Sequence, residues 1–389
     1  MKRWRLFFRK IGWPAWVLFV FTWIFVLLPL LFNRNNIVEF RESGISFPAF
    51  SSVSSSSVVA GDDPVWKIPA LIPYSPGSMD TAAQGFLPPL GLPDKVQKPM
   101  GLMERHWLGT DLYGRDILAM VIYAARSSLS LAAAAALLSW LTGLLLGTAA
   151  AYFTCFGWHL RLHRVLFGVF SFFFLIIVSQ MPLPPSERLM LGSGILLLQL
   201  ILSLLASNFI SFSAHSLEIG KATIFMYDRV VEFFAIVPRV VFVLVILPLF
   251  KPSASTFILI LVLSSWVDMA RIVRAETSRV LTAPFVESAR MSGISSSRLL
   301  WRHVLPNIWP ATLVHLVLSV ASNIMIESGV EFLGFGWAKS SPGLGDMIAV
   351  GKHHVEVWWI VLFPGLLVAT LVYSLFSFST RLQDMLYQE

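Results

Sequence analysis

Runs of roughly 20 nearly uninterrupted apolar residues recur along this chain, and each is long enough to cross a bilayer as a helix. They lie at about 14–32, 127–152, 190–211, 230–249, 256–276, 308–328 and 357–377, with a shorter run at about 165–181. This spacing predicts an all-α, polytopic transmembrane helical bundle of eight spans, or seven if the short run does not cross. Composition agrees. Hydrophobic residues make up 56% of the 389, too many for a water-soluble domain to cover with polar surface.

The formal net charge of +7 raises the question of nucleic acid. Lys and Arg sit beside the apolar runs, however, and not along one soluble face, so the charge belongs to membrane topology. The opening MKRWRLFFRK precedes an apolar run from Trp13 to Phe32, too long for a cleavable signal and without a small-residue cleavage site. It reads as an uncleaved first helix with a cytoplasmic N-terminus. With that orientation the short inner segments hold sixteen Lys and Arg, against Arg188, Lys251, Lys339 and Lys352 outside. The positive-inside rule then places the C-terminus in the cytoplasm as well.

Three regions follow. Residues 1–32 are the cytoplasmic N-terminus and first span. Residues 33–126 form an extracytoplasmic loop rich in Ser and Pro, including Ser51–Ser57, whose composition predicts an extended, turn-rich strap. Residues 127–389 form the main membrane domain, with a helical hairpin at about 153–227 and a cytoplasmic loop at about 277–307. In the second span Gly143 and Gly147 stand in GxxxG spacing among alanines, which predicts a close helix crossing and a central place in the bundle.

Catalytic and metal chemistry find no support in the sequence. Cys155 is the one cysteine and pairs with no His at ligand spacing, so it reads as a small buried or interfacial residue. His353-His354 reads as solvent-exposed loop. Trp13, Trp16, Trp309, Trp358 and Trp359 read as interfacial anchors.

Two polar stretches are too patterned to be plain connectors. His106 to Asp116 precedes the second span. There Gly109 and Gly114 permit tight turns, and Asp111, Arg115 and Asp116 are placed to pair in an ordered outer elbow. The second stretch runs from Glu287, Ser288, Ala289 and Gly293 to Leu299, Leu300, Trp301, Leu305 and Pro306. It predicts a helix, a turn at Gly293, a short amphipathic helix, and a Pro opening the next span. Met291, Leu299, Leu300 and Trp301 would leave apolar surface rimmed by charge. On the residues alone, a protein partner and anionic lipid fit this surface equally.

The pattern E-x-A-x3-G-x9-H-x-L-P across Glu287–Pro306 resembles the "EAA" loop of ABC-importer permeases. LGTDLYGRD (108–116), ARSSLS (125–130), RHVLPN (302–307), IESGVEFLGFGW (326–337) and FPGLL (363–367) are similar to its dipeptide, oligopeptide and nickel branch. The likeness covers roughly 100–152 and 228–386, in order. It implies a permease subunit in a bacterial inner membrane that gives peptides, or nickel or another small solute, an alternating-access path. It implies a second homologous permease, two cytoplasmic ATPase subunits gripping the 287–306 loop, and an extracytoplasmic solute-binding protein. The chain has no GxxxxGK[ST] motif, so no cofactor is expected on it, and ATP-Mg would sit in the partners. A secondary transporter, a channel and a membrane enzyme are the other classes such a bundle admits.

Departures from the family pattern are specific. Ser288 replaces the middle Ala, Glu232 replaces an Asp after Arg229, and the hairpin is an addition. Arg239 is charged where the family has a small or apolar residue, and Glu331 where it has Ser. A charge at membrane depth costs about 2.5–3.5 kcal/mol or more, so each needs a partner. Pairing of Arg239 with Glu331, or with Glu327 one turn earlier, is the expectation.

Overall fold

A computed structural model describes residues 38–41, 44–46, 66–68, 74–92, 105–156, 216–336 and 342–387, with single positions between 184 and 197. The spans expected at about 14–32, 165–181 and 190–211 lie outside these residues, as does most of the hairpin. Nine α-helices are described: α1 (Ile117–Phe156), α2 (Ser216–Ile236), α3 (Arg239–Ile246), α4 (Ala254–Leu281), α5 (Pro284–Met291), α6 (Ser296–Leu299), α7 (Leu305–Phe332), α8 (Leu344–Val350) and α9 (Trp358–Tyr387). Among the described residues four stretches are long and apolar enough to cross a membrane: Ile117–Tyr152, Ala254–Leu281, Leu300–Phe332 and Trp358–Leu386.

The outer loop departs from a pure strap. Strands β1 (Val38–Arg41), β2 (Gly44–Ser46) and β3 (Trp66–Ile68) form an antiparallel sheet in the order β2-β1-β3, with Phe40 opposite Ile45 and Trp66.

The run expected as one span at 230–249 is broken. Helices α2 and α3 meet at an 85° bend. Pro238 stands at the break with extended backbone (ψ 128°) and caps α3. Proline has no N–H to donate, and its ring crowds the carbonyl one turn back. Hydropathy averages over that interruption. If the bent pair counts as one crossing, the described residues hold five spans.

The chain divides into two compact units. One comprises residues 1–130 and 327–374, the other residues 131–326 and 375–389. In the first, Ile117, Met120, Val121 and Ala124 of α1 pack with Leu344 and Met347 of α8 and with Trp359, Ile360 and Leu371 of α9.

In the second unit α1 crosses α4 on small residues. A Cβ at Gly143 would lie 2.6 Å from Met269 Cγ, and one at Gly147 would lie 2.6 Å from the Ala270 carbonyl oxygen. Ser139 and Ser265 bridge the same helices through hydroxyls 2.5 Å apart. The GxxxG pair therefore marks a true crossing, but α4 is the more enclosed helix. Inside the chain, 67% of its span window is buried, against 44% for α1. Above this crossing Leu146 and Ala150 pack on Trp266, Val267 and Ala270 and on Tyr227 and Val231 of α2. Arg274 of α4 pairs with Asp228 of α2, and the neighbouring Arg229–Glu232 pair is a half-exposed pair three residues apart on α2.

Gly147→Val puts branched carbons where α4 backbone already stands, and is expected to cost about 1–3 kcal/mol. Thermal unfolding of the detergent-solubilised chain should show a lowered Tm. Leu145→Ala, on the exposed face of α1, should leave Tm nearly unchanged.

Candidate functional site

Three sets of residues carry the polar chemistry. The first is the loop between α4 and α7. Helix α5 starts with Pro284 at its first position, where a missing N–H costs nothing. Glu287 lies in the first turn, and its carboxylate complements the positive helix end. Ser288 is exposed and its hydroxyl donates to the Pro284 carbonyl at 3.1 Å, so it replaces Ala without disturbing the helix.

Gly293 ends α5. Its φ is +78°, a left-handed conformation that strains any residue with a Cβ. The Gly293 N–H donates to Arg290 O at 2.9 Å, and the Ile294 N–H donates to Ala289 O at 3.3 Å. Together these bonds form a Schellman motif, whose hydrophobic contact falls between Ala289 and Ile294; both lie against one apolar cluster. The E-x-A-x3-G spacing is thus a stop signal with a small residue one turn before it.

The loop is less of an appendage than its sequence suggests. No separate second helix forms. The single turn α6 runs through a π-turn at Leu300–Val304 into α7, where the Leu305 N–H reaches back five residues to Leu300 O. The wider turn carries the chain past Pro306 without a break. Val286, Leu299, Val304 and Ile308 are fully buried with Trp140, Tyr152, Met269 and Val273.

Leu299 therefore points inward and Leu300 is half-buried, correcting the expectation that both lie on the surface. The exposed apolar residues are Phe285, Met291 and Trp301, the last two 86% and 72% exposed. Leu305 packs partly against the cluster and Pro306 is exposed.

The second set is the outer elbow. Gly114 has φ +76°, and a Cβ there would strike the Asp80 carbonyl oxygen. Gly109, with φ +83°, turns beneath the Trp359 ring, whose Nε1 donates to Thr110 O at 3.4 Å. Asp111 pairs with Arg115 at 2.6 Å and accepts the Tyr113 and Arg115 N–H groups. Asp116 does not join that pair. One oxygen accepts the Ala119 N–H at 2.8 Å, capping α1, and the other lies 3.0 Å from His106 Nδ1.

The second span therefore begins at Ile117 and not at 127, and ARSSLS lies inside it. Ser127 and Ser130 within it donate to the Ala124 and Ser127 carbonyls of the same helix. Sequence reading missed His106, Asp80 and Trp359. The first two carry no periodic signal, and Trp359 reads as an interfacial anchor although it is 7% exposed.

The third set is the intramembrane charges. Arg239 Nη1 donates to Ser322 Oγ at 3.1 Å and Nη2 to Asn323 Oδ1 at 3.0 Å, with Asp268 Oδ2 at 3.9 Å. Glu331 is buried and accepts the Gly345 N–H at 3.0 Å, tying the end of α7 to the start of α8. Glu327 is buried one turn earlier. The expected Arg239–Glu331 pair is therefore not the arrangement found: Ser322 and Asn323, side by side on α7, hold the guanidinium instead. Outside the spans, burial pushes the Asp346 carboxyl above the usual range, against the opposing effect of the Gly343 N–H that it accepts.

Other sequence expectations resolve plainly. Cys155 is exposed at the end of α1. His353 is exposed, whereas His354 lies half-buried against the Phe86 ring. Trp309 stacks edge-on against Trp140. Among the described residues no group of three His, Cys, Asp or Glu side chains is placed to hold a metal.

Residues 207–386 match the family described as binding-protein-dependent transport system inner membrane component. The peptidoglycan transport system permease protein YejE of Agrobacterium fabrum is 31% identical over 177 residues, covering 45% of this chain and 46% of that protein. The oligopeptide transport system permease protein OppC of Escherichia coli K12 is 34% identical over 145 residues, covering 37% and 48%. OppC of Mycobacterium tuberculosis H37Rv is 25% identical over 311 residues, 79% of each chain. The chain thus spans about half the length of the first two relatives and most of the third.

Two substitutions separate the buried from the exposed side of the loop. Leu299→Ala is expected to lose about 2–5 kcal/mol. Met291→Ala, on the open side, should stay within about 0.5 kcal/mol of the parent. Thermal unfolding of the two variants checks both.

Proposed function

We propose that the chain, like the binding-protein-dependent inner-membrane components that its residues 207–386 match, forms part of the path of an ABC importer for peptides. The loop Glu287–Pro306 then acts as its contact with a cytoplasmic ATPase. The observation carrying this reading is the two-sided build of the loop: Val286 and Leu299 are buried in the membrane domain's own core, while Phe285, Met291 and Trp301 are left open. Apolar side chains projecting from a rigid, charge-rimmed base suit a groove on another protein. Lipid fits less well. A helix lying on a membrane presents a continuous apolar face, and here most of that face is spent on the core.

In the mechanism, ATP binding and hydrolysis occur in the partner. Its closure displaces Met291 and Trp301. Because α5 is anchored through Val286 and α6 through Leu299, the displacement passes to α4 and α7 with little slack. A second permease, a second ATPase and an extracytoplasmic solute-binding protein complete the assembly. With this orientation both termini are cytoplasmic. The names of the relatives favour peptides over nickel.

The test is recovery of the ATPase. Wild-type protein purified from native membranes is expected to carry an ATPase subunit and to support ATP-driven uptake. Met291→Ala with Trp301→Ala should reduce both by roughly 30-fold, equivalent to losing about 2 kcal/mol at an interface centre, with Tm intact. Undiminished recovery with the double variant would contradict the reading.

A further inference from the structure

The exposed side of α4 has the wrong chemistry for lipid. Between Thr256 and Leu281 its exposed residues are Asp268, Arg271, Ala275 and Arg279. Their spacings of three, four and four put them on one stripe of the helix. A lipid-facing stripe looks different: α1 exposes Leu137, Leu138, Leu141 and Leu145. Asp268 stands midway along the 28-residue α4, where an ionised carboxylate facing hydrocarbon costs about 2.5–3.5 kcal/mol. Charged residues at this depth face water or protein, and a stripe running from mid-span to the loop end of the helix suits a wet passage.

Arg239 completes the case. It opens α3 at the Pro238 break, so its side chain projects at the level of the bend. Neutral oxygens of Ser322 and Asn323 hold the two terminal nitrogens. Asn323 is itself fixed, its Nδ2 donating to Ala132 O at 3.3 Å. Among the described residues the buried Nε of Arg239 has no hydrogen-bond partner. The carboxylate paired with the guanidinium among those residues is Asp268 at 3.9 Å, 52% exposed. A cation locked in place beside a loosely held, half-exposed counter-ion is preorganised to accept a carboxylate.

We propose that Arg239 and Asp268 form a solute-contact site on the translocation path, taking a carboxylate-bearing solute on Arg239 while Asp268 receives its cationic group. This rests on the importer reading. Because Asp268 stays close enough to reclaim the guanidinium, the solute is exchanged and not trapped, as conduction requires.

The experiment uses native membrane vesicles and a Cys155→Ser background. A cysteine is placed at Asp268 or, keeping both charges, at Ser322. Reaction rates with anionic sulfonatoethyl methanethiosulfonate and cationic trimethylammonioethyl methanethiosulfonate are compared, each normalised to free cysteine. Both positions are expected to react from water. At Asp268→Cys the sulfonate should be favoured by roughly tenfold, as a unit charge a few ångströms away in a medium of intermediate dielectric would give, and adding Arg239→Gln should abolish that preference.

At Ser322→Cys, Arg239→Gln should shift the ratio toward the cation. Absence of labelling at Ser322→Cys in the vesicles would mean that lipid or a partner subunit covers the pair, and would overturn the proposal. A ratio unmoved by Arg239→Gln would overturn it equally. Labelling needs no ATP hydrolysis, so loss of the importer reading would appear in ATPase recovery and not in these rates.

Discussion

The structure of the second unit depends on one apolar cluster that belongs to the membrane bundle and to the loop beneath it at once. Trp140, Tyr152, Met269 and Val273 come from spanning helices, while Val286, Leu299 and Val304 come from the connection between α4 and α7. Close approach of α1 to α4 at Gly143 and Gly147 brings the two sets within reach of each other. Burying such side chains contributes about 1.5–3 kcal/mol each relative to leaving them exposed. Pulling the loop away as a hinged flap would forfeit several of these contributions. The cheaper motion is one in which the loop and the helix ends move together.

The same economy governs the polar groups. Several of those described at membrane depth are held by fixed neighbours: Ser139 by Ser265, Asn323 by Ala132 O, Glu331 by the Gly345 N–H, Arg239 by Ser322 and Asn323. Asp268 differs in remaining half-exposed beside Arg239. A bundle built to exclude water would bury that carboxylate or lack it, which is why the solute contact is proposed there.

Much of this was legible in the sequence, for identifiable reasons. Apolar runs located α4, α7 and α9 because each stays apolar on average over a span's length despite isolated polar residues such as Asp268 and Asn323. GxxxG located the α1 crossing because small residues have few other uses at that spacing. The E-x-A-x3-G pattern located a helix stop because only glycine takes φ +78° without strain.

What failed was what hydropathy averages or cannot see. The start of α1 at Ile117 was hidden by Arg126, Ser127 and Ser130, and the true signal was the capping Asp116. The α2–α3 bend was visible in Pro238 but smoothed into one run. Partner choice was the hardest. Arg239 and Glu331 have opposite charges and suitable separation in the chain, yet each finds a different neighbour, because register along α7 decides which side chain reaches which. Inward-facing Leu299 and outward-facing Trp301 are two residues apart, about 200° around a helix, and apolar character alone does not say which of the two faces the core.

The central claim is that the loop and the membrane core move as one body during the proposed ATP cycle. Spin labels at Met291 and at Leu145, on the exposed face of α1, measure this directly by pulsed electron resonance in the assembled importer. The expected result is the same distance distribution without nucleotide and with ATP held in the partner. A nucleotide-dependent shift between the two labels would show the loop hinging on its own, and would contradict the claim.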